Sequence, residues 1–197
     1  YWRRACGYRL DRLAGDPGFN LAPFVVGSEG TLVIATEALV DLVPRPRRTV
    51  IAVGHFTSVL AAIEATGDAL ACDPAAVEMM DRTILDLSRQ KIEYADLGRI
   101  LSGDPDALLF VSFSGDDERE LLARLDRLVG LWSAHGHGYD TLRAETPQQQ
   151  AGLLKVRKSS LGLLMAASTG TRRPLAFVED TAVDPTHLAE YTRKFQQ

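Results

Sequence analysis

Arg157 has the setting in this sequence that most needs a chemical explanation. Between Gln148 and Ala167, Leu153, Val156, Leu161 and Leu164 fall at i, i+3, i+8 and i+11, the spacing of one helix face. Arg157 (i+4) and Ser160 (i+7) fall inside that face. A guanidinium among apolar side chains is costly unless it meets an anion. Two readings are open. Arg157 either pairs with a structural carboxylate or snorkels past the helix edge, or it faces a cleft and takes a ligand carboxylate through a two-pronged hydrogen bond, with Ser160 beside it. Further on, Glu179 and Asp180 interrupt the apolar run Phe177 to Val183. In a strand, neighbouring residues point to opposite faces, so one of these acids points inward and needs a cation, for which Arg157 or Arg173 is available. The hypothesis is that Glu179 or Asp180 orients Arg157; the alternative is an exposed strand-edge acid.

A second chemical feature is Gly27-Ser28-Glu29-Gly30-Thr31-Leu32, which runs into Val33-Ile34-Ala35. Glycines three residues apart let the backbone approach a ligand, and successive N–H groups in such a turn suit a phosphate or pyrophosphate. The plain alternative is a tight turn between two strands. His135-Gly136-His137 offers two imidazoles, but no cysteine or acid stands at the usual ligand spacing. A helix C-terminus followed by glycine explains the pair, and no metal site is assigned. No Ser-His-Asp set, CxxC, Walker loop or GxGxxG occurs, and no catalytic acid, base or nucleophile is assigned.

These residues must be positioned by the rest of the chain. It has 197 residues, 46% of them hydrophobic, and a net charge of −4, enough for one good core, or one core and part of another. The acidic balance argues against nucleic acid or an anionic membrane surface as partner, and the basic run Arg45 to Arg48 is short and broken by Pro46. Cys6 and Cys72 make no metal or redox motif and fit free thiols in a reducing cytosol. No stretch reads as a signal peptide or a membrane span.

Residues 1–46 read as loop, turn and one long strand, Thr31 to Val43, with too few apolar residues to build a core alone. Pro44-Arg45-Pro46 marks the boundary. Beyond it the expected elements are a strand Thr49–His55, a helix Thr57–Ala65 and a weak strand Ala69–Cys72. A helix opening at Asp73-Pro74 with a stripe of Val77, Met80, Ile84 and Leu87 follows, then a loop from Arg89 to Pro105. Next come a strand Ala107–Phe113 and a helix carrying Leu121, Leu125, Leu128 and Trp132 on one face. A strand Tyr139–Glu145, a helix from Pro147, a strand Pro174–Val183 and a final helix from Pro185 complete the order. The pattern implies an α+β fold, an antiparallel or mixed sheet with helices on one face in ferredoxin-like style.

The order of motifs carries a resemblance. Cys6-Gly7-Tyr8 with Leu10, then Gly27 to Leu32, then a strand and a proline-containing exit resemble the end of the flavin-binding domain of FAD-linked oxidases in the vanillyl-alcohol oxidase superfamily. Within it, the match is to the D-lactate, glycolate and D-2-hydroxyglutarate dehydrogenase branch. The resemblance implies that residues 1–46 are the remnant of an FAD-binding domain and 47–197 a substrate-side cap domain, incomplete at its C-terminus. It implies FAD contacts at Gly27, Ser28, Glu29, Gly30, Thr31, Leu32 and Ile34. Arg157, within Val156-Arg157-Lys158, would grip the carboxylate of a 2-hydroxy acid. Leu161 and Val178 stand where D-2-hydroxyglutarate members carry threonine and lysine, which weighs against a second substrate carboxylate.

The chain opens in mid-motif at Tyr1-Trp2-Arg3-Arg4 and so reads as part of a longer cytoplasmic enzyme, with the rest of the flavin domain as its missing partner. Glu179 to Val183 is similar to members fused to iron–sulfur modules, so an iron–sulfur module, fused or separate, is an implied partner, with peripheral membrane attachment through such a partner. The expected reaction is oxidation of a D-2-hydroxy acid to the 2-keto acid by hydride transfer to FAD, with the present chain inactive by itself. The rival reading is a stand-alone ferredoxin-like ligand-binding or oligomerisation module without redox activity.

Overall fold

The computed structural model describes residues 7–15, 18–91, 101–167 and 181–197. The chain divides into two compact units, Tyr1–Pro44 with Ala176–Asp184 and Arg45–Leu175 with Pro185–Gln197.

In the first unit, two short helices, α1 (Leu10–Ala14) and α2 (Ala22–Val25), precede the glycine turn. Asn20 Oδ1 accepts the Ala22 N–H at 3.0 Å, and a proline stands in the first turn of α2, where a missing N–H costs nothing. The strand expected over Thr31–Val43 does not form. Ile34 is 93% exposed and Leu42 90% exposed. A strand is stable only when its N–H and C=O groups find a ladder, and among the described residues none pairs with this segment.

The second unit is built on a four-stranded antiparallel sheet of β1 (Arg48–Phe56), β2 (Ala76–Asp81), β3 (Ala107–Gly115) and β4 (Asp140–Ala144), in the order β2-β3-β1-β4. Helices α3 (Val59–Glu64) and α4 (Thr66–Leu70) link β1 to β2, and α5 (Arg82–Arg89) follows β2 directly. Then α6 (Glu118–His135) links β3 to β4, α7 (Pro147–Ala166) follows β4, and α8 (Leu188–Phe195) comes last. With α5 and α7 set aside, the β-α-β-β-α-β order and strand sequence are ferredoxin-like. Val53 stands opposite both Phe110 of β3 and Leu142 of β4, so β1 is central.

Helices cover both faces of this sheet, where one covered face was expected. Val50, Ala52 and Phe56 of β1 pack with Leu121, Leu125, Leu128 and Trp132 of α6 and with alanines of α3 and α4. Ile51 and Val53 pack on the other side with Ile84 and Leu85 of α5 and Leu153, Val156 and Leu163 of α7. The reason lies in β1 and β3, whose consecutive apolar residues leave neither face able to meet water.

Two local expectations also change. Ala69 and Leu70 end helix α4 instead of forming a strand. Ala76–Asp81 is a strand, and the helix starts only at Arg82, where the Asp81 carboxylate accepts the Ile84 N–H at 3.1 Å. Val77 to Asp81 pair along β3, and that ladder outweighs the helical spacing of Val77, Met80 and Ile84. Cys72 is a buried free thiol whose pKa burial raises; Cys6 and residues 174–180 of the expected last strand lie outside the described residues. No helix among those described is long and apolar enough to cross a membrane.

His55 marks the end of β1. Its ring is fully buried beside Tyr139, its Nε2 accepts the Ser102 N–H at 3.4 Å, and its Nδ1 has no hydrogen-bond partner among the described residues. Burial lowers its pKa below the ordinary 6.5, against the opposing pull of the Asp140 carboxylate. The unfolded chain therefore takes up this proton first as pH falls, so stability held above the ordinary histidine pKa is lost below it. Urea unfolding is expected to show stability falling from pH 7.5 to pH 5.5, with a shallower fall in His55→Leu. An equally steep fall in the variant would assign the effect to other groups.

Candidate functional site

The α7 face of the sheet carries a cleft of about 630 Å³ whose lining includes Glu78, Asp81, Phe110, Arg157, Lys158 and Ser160. Helix α7 is set by a full capping box: the Thr146 side chain accepts the Gln149 N–H, and Gln149 Oε1 accepts the Thr146 N–H at 3.0 Å. Gln150 fastens its first turn to the sheet by donating to the carbonyls of Thr49 at 2.7 Å and Ala144 at 3.1 Å. Leu153, Val156 and Leu163 are its buried apolar residues. Leu161 turns to solvent and Leu164 lies at the cleft, so the buried stripe is rotated from the one read in the sequence.

Arg157 and Ser160 reach the same cleft. The Ser160 hydroxyl donates to the Val156 carbonyl at 3.2 Å. The Arg157 guanidinium engages Glu78 through Nε and Nη2, one to each carboxylate oxygen. Both side chains are a little over a third exposed, 38% and 36%, so the pair is partly desolvated at the cleft wall. A guanidinium has five N–H donors, and this side-on fork leaves both hydrogens of Nη1 and one of Nη2 for another acceptor. The arrangement can thus hold a second carboxylate end-on while Glu78 fixes the plane of the group.

Glu78 was not singled out from sequence because Val77 and Met80 read as helical. The period-2 run Glu78, Met80 against Val77, Met79 is the signal that could have found it. Glu179 and Asp180, the acids expected to orient Arg157, lie outside the described residues.

In the first unit, Ser28 to Thr31 make a β-turn closed by the Thr31 N–H to the Ser28 carbonyl at 3.0 Å. Its central residues Glu29 (φ 52°) and Gly30 (φ 74°) both lie in the left-handed region, as in a type I′ turn. Tyr8 joins the two sequence motifs, its hydroxyl 2.8 Å from Thr31 Oγ1 and its ring against Phe24. At Gly27 and Gly30 nothing lies within 4 Å of where a Cβ would stand. At the end of α6, Gly136 adopts the left-handed cap conformation and the His137 N–H reaches the Trp132 carbonyl at 2.8 Å. This is the helix terminus read from His135-Gly136-His137.

Residues 45–197 match the family described as FAD linked oxidases, C-terminal domain. The chain belongs to this family. Over 96% of its length it is 34% identical to the D-2-hydroxyglutarate dehydrogenase of Escherichia coli strain K12, covering 20% of that protein. It is 30% identical to the D-lactate dehydrogenase of Archaeoglobus fulgidus, over 92% of this chain and 37% of the relative. With the glycolate oxidase subunit GlcD of Bacillus subtilis the identity is 28%, over the same 92% and 37%. The chain spans about a fifth of the length of the D-2-hydroxyglutarate dehydrogenases it matches.

FAD is the cofactor of this family. The open space at Gly27 and Gly30 fits a cofactor that meets backbone at close range, since side chains there would stand between it and the turn. Ser28 is buried and Ile34 exposed, so the turn and the segment after it present different surfaces.

Proposed function

We propose that this chain is the cofactor-edge and substrate-side part of an FAD-dependent enzyme that oxidises a D-2-hydroxy acid to the 2-keto acid. In this reading residues 1–46 are the end of the FAD-binding domain and residues 47–197 the cap domain. The observation that carries the reading is the family match over residues 45–197 together with a guanidinium held flat at the wall of a cleft. The chemistry FAD would supply here, when bound, is that of a hydride acceptor for the α-carbon. Gly27 to Leu32 and Ile34 are the residues of this chain that would contact it. Arg157 binds the substrate carboxylate through its outer N–H groups, and Ser160 lines the same cleft. Glu78 sets the orientation of Arg157, a role also open to Glu179 or Asp180. Leu161 projects into solvent and supplies no polar group for a second carboxylate.

The relatives named above bear on substrate through their names alone: 2-hydroxyglutarate, lactate and glycolate are the acids to compare. Anaerobic addition of each acid to the intact enzyme is expected to bleach the flavin band near ~450 nm, with the D-enantiomer active where the acid is chiral. The 197-residue chain alone is expected to be colourless and inactive. Failure of all three acids to bleach the intact, FAD-loaded enzyme would refute the reading and favour a ligand-binding or oligomerisation module. An iron–sulfur module, fused or separate, fits as electron acceptor, and stimulation of turnover by such a partner tests it.

A further inference from the structure

We propose that Asp68, His135 and His137 form a binding site for one divalent transition-metal ion of the zinc class, away from the Arg157 cleft. No acid was read at a ligand spacing from the two histidines in sequence, but α4 brings Asp68 to them. Asp68 Oδ2 lies 2.8 Å from His135 Nδ1 and 3.7 Å from His137 Nε2. One ligand atom from each of the three residues falls within 4.8 Å of the others. Donors around a tetrahedral zinc ion with bonds of 2.0–2.2 Å stand roughly 3.3 Å apart, between the two spacings that Asp68 Oδ2 makes with the imidazoles. Two imidazoles and a carboxylate are the donor types that borderline ions such as Zn²⁺, Co²⁺ and Ni²⁺ prefer.

The backbone holding these donors is fixed from beneath. Trp132, one turn before His135, is buried and donates from Nε1 to the Ala65 carbonyl at 3.1 Å, tying α6 to the start of α4. Gly136 then reverses the chain and the His137 N–H returns to the Trp132 carbonyl, which sets the second imidazole beside the first with ring centroids 6.1 Å apart. Exposure is graded, with Asp68 17%, His137 25% and His135 52% exposed, so the site is walled on the Asp68 side and open on the His135 side. Water can complete the coordination shell there. An ion so placed would clip α4 to the end of α6 and stabilise the fold by binding only the folded chain.

Calorimetric titration of the full chain with Zn²⁺ is expected to show one equivalent that disappears in the His135→Gln/His137→Gln variant. In Asp68→Asn the same equivalent should bind roughly tenfold more weakly. Because His135 is half exposed, His135→Gln keeps the fold. A Zn²⁺-dependent rise in Tm present in the wild-type chain and lost in this single variant reads the same site without the double substitution. Zn²⁺ stoichiometry and affinity equal in wild type, His135→Gln and Asp68→Asn would overturn the proposal, leaving Asp68 and His135 as a hydrogen-bonded pair at a helix end.

Discussion

Arg157→Met in the intact enzyme is expected to lower kcat/KM for the 2-hydroxy acid by roughly a hundredfold, chiefly through KM. A charge-assisted hydrogen-bonded carboxylate contact is worth about 1.5–3 kcal/mol, and 1.36 kcal/mol is a factor of ten. Arg157→Lys keeps the charge but loses the planar fork, so about a tenfold loss should persist. Glu78 separates structure from function here. Removing the arginine leaves that carboxylate unpaired, but it is 36% exposed and water can solvate it, so the fold should survive. In Glu78→Gln the guanidinium keeps its charge and loses its fixed plane, which predicts a smaller rise in KM than in Arg157→Met. If the two residues act as one unit, the double variant will resemble Arg157→Met alone instead of summing the two losses. An unchanged KM in Arg157→Met would make the Arg157–Glu78 pair purely structural.

Trp132→Ala should cost about 3–5 kcal/mol of unfolding free energy, a large share of the 5–15 kcal/mol typical of a domain. Trp132 is 1% exposed and meets Phe56 edge-on at 5.9 Å. It lies so close over β1 that a Cβ on Gly54 would come within 2.8 Å of its Cζ3. Gly54 beneath it has no side chain with which to fill that volume. Trp132→Phe retains most of the apolar contact but removes the indole donor from the Ala65 carbonyl, which keeps only the Ala69 N–H at 3.4 Å, so a loss nearer ~1–2 kcal/mol is expected. Urea denaturation of the full chain, with the slope of the transition compared across variants, measures both. A loss below 1 kcal/mol in Trp132→Ala would mean that α6 repacks onto β1.

Much of the second unit was legible because its signals are local. Strands β1 and β3 show as apolar runs, α6 as the Leu121, Leu125, Leu128, Trp132 stripe with glycine after its last histidine, and α7 as a proline start. The family resemblance was legible for the same reason, since Gly7-Tyr8 and Gly27 to Leu32 are short strings with a defined turn chemistry. The failures fall where pairing at a distance overrules local spacing. Val77, Met80 and Ile84 fit a helix, yet Val77 and Met80 became part of an edge strand once β3 offered a ladder. Thr31 to Val43 fit a strand, but no described strand gives it a partner.

By itself the sequence determined the α+β class, the family, the ends of its strongest helices and Arg157 as the guanidinium on an apolar face, because backbone propensity, side-chain periodicity and turn chemistry act over a few residues. Only the tertiary structure decided which carboxylate Arg157 meets, and it is Glu78, 79 residues away. The meeting of Asp68 with His135, 67 residues away, and with His137 was decided in the same way. Which acid lies beside which cation depends on strand order and on which face of the sheet each helix covers. Those are settled by burying two apolar faces at once, a condition on the whole fold that no short stretch of residues contains.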